Sequence, residues 1–156
     1  ATEKHLSGWE SKPAPDFVLP GLDSGDVISA SLRGKAVLLY VWFTGCPPCM
    51  KETPELVALD REFADRGLVI VGANADKLLG LGYDDAVRRK YAGAQKINFP
   101  IADWTRESDT ALGSISIYPT LFLIDAKGVI MQHWVGYTSG EVIRSALATV
   151  LIQPKP

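Results

Sequence analysis

The sequence predicts an α/β fold, with a central mixed β-sheet flanked by helices. Three observations predict it. Two apolar runs rich in β-branched and aromatic residues, AVLLYVWF (residues 36–43) and LVIVGAN (68–74), read as strands buried on both faces. Segments with helical spacing of apolar residues follow each of them. Late in the chain, TLFLID and VIMQHWVG read as two more strands, separated by the hairpin turn Ala126-Lys127-Gly128. Strands that alternate with helices and then fold back as a hairpin imply parallel and antiparallel pairing in one sheet.

The elements follow in order. Residues 1–13 (ATEKHLSGWESKP) are polar and aperiodic and read as a flexible arm, with Trp9 a candidate to dock; residues 14–156 form a single domain. Residues 16–20 and 26–30 are short β-like pieces around Asp23-Ser24-Gly25, which predicts a hairpin. After the first buried strand, Leu56, Leu59 and Phe63 follow helical spacing, Val57 widens the stripe and Gly67 is the stop. Pro54 lies inside this helix. It lacks an N–H and its ring crowds the carbonyl of Met50, so a kink is expected. Residues 83–94 read as a helix buried through Val87, Tyr91 and Ala94, with Arg88, Arg89 and Lys90 on a solvated face. A short strand near 99–102 and a short helix near 105–112 precede the late hairpin. A helix over 139–151 ends the chain, with Val142, Ile143, Ala146, Leu147 and Val150 on one face.

Composition narrows the function. The 156 residues suit one domain with one sizeable core, and 47% apolar with 22% charged residues describes a soluble globular protein. A net charge of −2 gives no electrostatic reason to expect nucleic acid or an anionic membrane as partner. No apolar run approaches the ~18 residues of a membrane span. The chain opens at Ala1 rather than Met, which leaves room for a leader or membrane tether outside this sequence.

The chemistry centres on YVWFTGCPPCMKETP (residues 40–54), which holds the chain's two cysteines, Cys46 and Cys49. As a structural staple the pair would close a loop of four residues, worth only about 2 kcal/mol in the chain-entropy model. As a zinc site it would supply half the ligands, and His5 and His133 lack useful spacing to complete it. A redox pair explains the placement. The cysteines fall where a buried strand ends and a helix begins, and there free N–H groups and the helix dipole favour thiolate over thiol. Cys46, on the N-cap side, is expected to be the exposed nucleophile, and Cys49, one turn in, the resolving thiol. Pro47 suits the first helical position. Pro48 removes another donor, so the Cys49 amide is the first that can reach the Cys46 sulfur. No organic cofactor and no metal is called for, because the electrons move through the thiols.

From residue 14 to 151 the chain resembles the TlpA/ResA/CcmG-like branch of the thioredoxin superfamily. The resemblance rests on APDF, on Gly34-Lys35 before the first buried strand, on the C-P-P-C-x-x-E-x-P pattern, and on GANAD and YPTLFLIDAKG at suitable intervals. It implies a thioredoxin fold with an added N-terminal β-hairpin and an insertion before the third core strand. It also implies a periplasmic or extracytoplasmic thiol-disulfide oxidoreductase, often membrane-tethered. Such an enzyme keeps protein substrates reduced, among them apocytochromes c and copper-site proteins, and is itself served by an upstream thiol-disulfide electron donor. On this resemblance Cys46 and Cys49 are the redox-active disulfide, and Pro119 is a cis-proline flanked by Tyr118 and Thr120. These residues, with Gly45 and Pro47, are expected to meet the substrate.

Glu52 matches an acid that the branch places three residues after the second cysteine. One helical turn beyond Cys49, it could exchange a proton with that thiol; equally, it could be a solvent-facing Glu favoured by the helix N-terminus. The chain also departs from thioredoxin. Tyr40 stands for its buried Asp, Gly72 for the Lys on the next strand, and Gly45 for the Trp before the first cysteine. Two rivals are weaker. A peroxiredoxin would need Thr or Ser at Phe43 and Pro at Leu39. A copper(I)-binding or interaction module would use the paired thiolates, but Met50 and Met131 are the only methionines to support it. Trp42 reads as core, and Trp104 and Trp134 as core, rim or a substrate surface near Pro119.

Overall fold

The run of apolar residues that opens the central strand is also the middle of the molecule. In the computed structural model, which describes residues 8–151, the elements are β1 (Val18–Leu19), β2 (Val27–Ile28), β3 (Ala36–Trp42), α1 (Pro47–Phe63), β4 (Leu68–Asn74), α2 (Asp85–Ala94), β5 (Ile101–Asp103), α3 (Arg106–Ala111), β6 (Thr120–Ile124), β7 (Ile130–Val135) and α4 (Gly140–Leu147). Five strands form one mixed sheet in the order β5-β4-β3-β6-β7, and β1 and β2 form a separate antiparallel hairpin. β3 runs parallel to β4 and antiparallel to β6. The thioredoxin core is β3-α1-β4 followed by β6-β7-α4. The hairpin is added before it, and α2 and β5 form the insertion ahead of the third core strand, β6.

β3 is buried along its whole length, so its side chains serve two cores. Leu38, Tyr40 and Trp42 point to the side covered by α1 and α4, with Leu56, Leu59, Ile143 and Leu147. Val37, Leu39 and Val41 point to the other side, with Phe17 and Leu19 of the hairpin segment, Trp104 and Phe122. Trp42 and Trp104 are thus core residues, and Trp134 is half-buried against the α1 side. α1 runs through Pro54 as one element, and a short 3₁₀ turn, Ala64–Arg66, leads to Gly67 in the left-handed region.

Gly72 lies beside Tyr40 in the β3–β4 register. A Cβ there would come within 2.9 Å of Phe99 Cε1 and 3.2 Å of Trp42 Nε1, so the aromatic packing that fills this position requires glycine. Gly72→Ala is expected to destabilise the fold by about 1–3 kcal/mol through overpacking, read as a lower urea midpoint at unchanged m-value.

Three sequence expectations need correction. Residues 8–13 are not a loose arm: Ser11 N–H donates to Ile130 O (2.7 Å), Ile130 N–H to Lys12 O (2.8 Å), and Trp9 packs edge-on against Phe122. Residues 1–7 of that arm lie outside the described residues. In α2 the inward face is Arg88 and Ala92, while Val87 is exposed. The helix turns this way because the Arg88 guanidinium, only 2% exposed, pairs with Asp85 and Asp103, and a buried arginine needs such partners. In α4, Ile143 and Leu147 are buried but Val142 faces out.

Candidate active site

Cys46 is the N-cap of α1, and Pro47 and Pro48 open the helix. Proline tolerates these positions because their amides would have no intrahelical partner. The Cys49 N–H donates to Cys46 Sγ at 3.3 Å, and the Met50 N–H to Cys46 O at 2.9 Å. The first amide free to reach the sulfur is thus the one expected. Cys46 and Cys49 are joined as a disulfide, with their Cα atoms 5.2 Å apart. The Tyr118–Pro119 bond is cis, and the Tyr118 carbonyl oxygen lies 3.9 Å from Cys46 Sγ.

Cys46 is not the exposed residue the sequence suggested; each cysteine is 1% exposed. Its sulfur is enclosed by Cys49 and by the Tyr118 backbone, directly beneath an exposed rim of Gly45, Pro47, Pro48 and Met50. Tyr118 itself is held by an edge-to-face contact with Phe43 at 5.4 Å. Thr120 is buried and its hydroxyl donates to Ile117 O (2.7 Å), so it acts on the shape of this loop.

Gly45 takes φ +83°, a conformation that L side chains rarely adopt. This accounts for glycine where thioredoxin carries Trp. The ring of Tyr91 stacks at 5.9 Å on Trp42, three residues before Gly45. Just before it, Thr44 is held twice by Asp76: the backbone N–H donates to Oδ1 (2.7 Å) and the hydroxyl to Oδ2 (2.5 Å).

Glu52 is fully buried, which removes the solvent-facing reading. Its Oε1 accepts the Thr138 N–H at 2.6 Å, and its Oε2 has no partner among the described residues. Burial pushes its pKa up to about 7; the Thr138 hydrogen bond works against this shift and the charge of Glu55 adds to it. Behind Cys49, the Tyr40 hydroxyl donates to Cys49 O (2.9 Å) and also contacts Thr53 Oγ1. Burial drives the Tyr40 phenol well above its ordinary range, so it stays a neutral donor.

Sequence reasoning missed the β7–α4 loop. Gly136 N–H donates to Pro119 O (2.8 Å), Tyr137 OH to Glu55 Oε2 (2.7 Å), and Thr138 N–H to Glu52. One short loop thus touches both the cis-proline and the buried acid. Backbone donors carry two of these three links, and a backbone donor leaves no signature in residue type. It also missed the Thr44–Asp76 pair, which was legible. Trp42 and Asn74 are in register at the parallel ends of β3 and β4, so the residues two beyond each are neighbours.

Comparison with known proteins agrees with this geometry. The thiol:disulfide interchange protein DsbE of Pseudomonas aeruginosa is 33% identical over 147 residues, covering 91% of this chain and 75% of that protein. The thiol-disulfide oxidoreductase ResA of Bacillus thuringiensis subsp. konkukian is 30% identical over 140 residues, covering 89% and 77%. A crystal structure of a thioredoxin-family thiol:disulfide interchange protein from Chlorobium tepidum TLS superposes with a TM-score of 0.78 at 30% identity, covering 90% of this chain and 97% of that one. Fold and site together define a thiol-disulfide oxidoreductase of the ResA/DsbE type with a thioredoxin fold. The matching family model spans residues 11–133, and the chain belongs to the AhpC/TSA family.

Proposed function

We propose that this enzyme works outside the cytoplasm, in the periplasm or an equivalent compartment, as a reductant of selected protein disulfides such as those of apocytochromes c or copper-site proteins. A membrane tether outside this sequence would hold it there. No helix among the described residues is long and apolar enough to cross a membrane. The observation that carries the reading is the Cys46–Cys49 disulfide seated against the Tyr118 carbonyl, where an extended substrate strand can pair with backbone.

In this reading the reduced enzyme begins the cycle. The Cys46 thiolate attacks one substrate sulfur, forming a mixed disulfide and releasing the other substrate sulfur as a thiolate. Cys49 loses its proton and attacks Cys46 Sγ; the enzyme disulfide forms and the second substrate thiolate leaves. Two electrons have passed to the substrate, and an upstream dithiol donor restores the enzyme. Gly45, Pro47, Tyr118 and Pro119 line the approach, and Thr120 keeps the loop in shape. Glu52, one helical turn from Cys49 and with a pKa near neutrality, takes and returns the Cys49 proton.

Equilibration with a glutathione series tests the direction of electron flow. A reduction potential below about −220 mV is expected for a reductant, whereas a value near −120 mV, typical of strong dithiol oxidants, would overturn it.

A further inference from the structure

The loop between β4 and α2, residues 77–83 (KLLGLGY), points apolar side chains the wrong way for a soluble surface. Leu79 is 42% and Leu81 40% exposed, and Tyr83 and Val87 beyond them are exposed as well. Only Leu78 turns inward, against the core on the hairpin side of the sheet.

The loop is nevertheless firmly built. Leu79 N–H donates to Ala75 O (2.9 Å), Gly80 N–H to Lys77 O (3.1 Å) and Leu81 N–H to Asp76 O (3.0 Å). Gly80 and Gly82 take φ +66° and +79°, turns that let successive leucines stay outside. At its start, Lys77 reaches Asp103 (3.4 Å) and Asp85 (3.9 Å), the same carboxylates that hold the buried Arg88. The exposure is thus imposed by a fixed backbone.

The loop is also continuous with the place where every partner must bind. Leu81 is bonded to Asp76, Asp76 grips Thr44 through two hydrogen bonds, and Thr44 is two residues before Cys46. Tyr83 lies just before α2, whose Tyr91 stacks on Trp42, four residues before Cys46. The apolar ledge and the nucleophile therefore share one rigid frame.

We propose that Leu79 and Leu81, with Tyr83, form a docking ledge for an apolar segment of the substrate protein, lying within a few residues of its reacting cysteine. This names a substrate class for the exchange site and rests on the exchange reading. The cis-proline loop recognises backbone, which every substrate has. The ledge adds a side-chain requirement on the opposite side of Cys46, and favours disulfides flanked by large apolar residues over those in polar sequence.

The test compares two disulfide-bridged peptides that differ only in their flanks: Leu and Phe near the cysteine in one, Ser in the other. Stopped-flow oxidation of the reduced protein gives the second-order rate for each, and oxidised glutathione serves as a small probe. The apolar peptide is expected to react about tenfold faster than the polar one, the size of one well-covered aliphatic side chain. In Leu79→Ser/Leu81→Ser that advantage disappears, while the polar peptide and oxidised glutathione react unchanged. Val18→Ser, a still more exposed apolar position on the separate hairpin, keeps the advantage. Equal rates for the two peptides with the parent protein, or an equal slowing of oxidised glutathione in the double variant, would overturn the ledge. So would a concentration-dependent dimer that the double variant dissolves, because a second copy would then be the occupant. Absence of reaction with oxidised glutathione in the parent protein would instead sink the exchange reading beneath it.

Discussion

Changing Cys49 to Ala is expected to leave a protein that attacks once and stops. Cys46 keeps its position at the N-cap, and residue 49 keeps the backbone N–H that reaches the sulfur, so the attacking thiolate is still stabilised. What is lost is the only other thiol in the chain. The mixed disulfide between Cys46 and a substrate cysteine then has no internal route to resolution. Turnover is expected to fall by about three orders of magnitude or more, as when one member of a catalytic unit is removed. A covalent adduct should accumulate at one equivalent, visible by mass spectrometry without reductant. Cys46→Ala should lose turnover equally but form no adduct, because the Cys49 sulfur lies one turn inside the helix. An adduct through Cys49 in the Cys46→Ala protein, with none in Cys49→Ala, would reverse the two roles.

How far the sequence foretells this site depends on what kind of force places each residue. The two central strands were legible because β3 and β4 are continuous apolar runs, and a run of that length and composition reads as a strand buried on both faces. The strand-to-helix junction was legible because Pro47 and Pro48 can open a helix but not continue one from upstream. The orientation of α2 was not. An apolar count favoured Val87, yet Arg88 turned inward to meet Asp103, a partner on another strand that no local pattern reveals. Burial of Cys46 was hidden for a similar reason: the cover comes from the Tyr118 backbone, 72 residues away in sequence. Glu52 shows the limit most clearly. Its spacing to Cys49 was readable, but its loss of solvent depends on the β7–α4 loop, which closes over it by the Thr138 amide.

That closure has a measurable consequence for stability. In the unfolded chain Glu52 titrates near its ordinary value of 4.5, and in the fold near 7, because burial disfavours the carboxylate. Between these values the native state holds a proton that the unfolded state has released, so stability falls as pH rises. The contribution is fully present below pH ~4.5 and is lost as pH climbs through ~7, a change of about 3 kcal/mol. Glu52→Gln removes the titration while keeping an oxygen to accept the Thr138 N–H. The amide nitrogen takes the place of the oxygen that has no partner, much as a protonated carboxyl would. Urea denaturation of the oxidised proteins from about pH 4 to about pH 9 is expected to show the parent protein losing stability across this window and the variant holding nearly level. The variant should therefore be the more stable protein above pH ~8 and no more stable near pH ~4. Parallel profiles for the two proteins would mean that Glu52 is ionised in the fold at neutral pH. A carboxylate already ionised there has no proton to return to Cys49, and the proton-transfer role would fall with the stability argument.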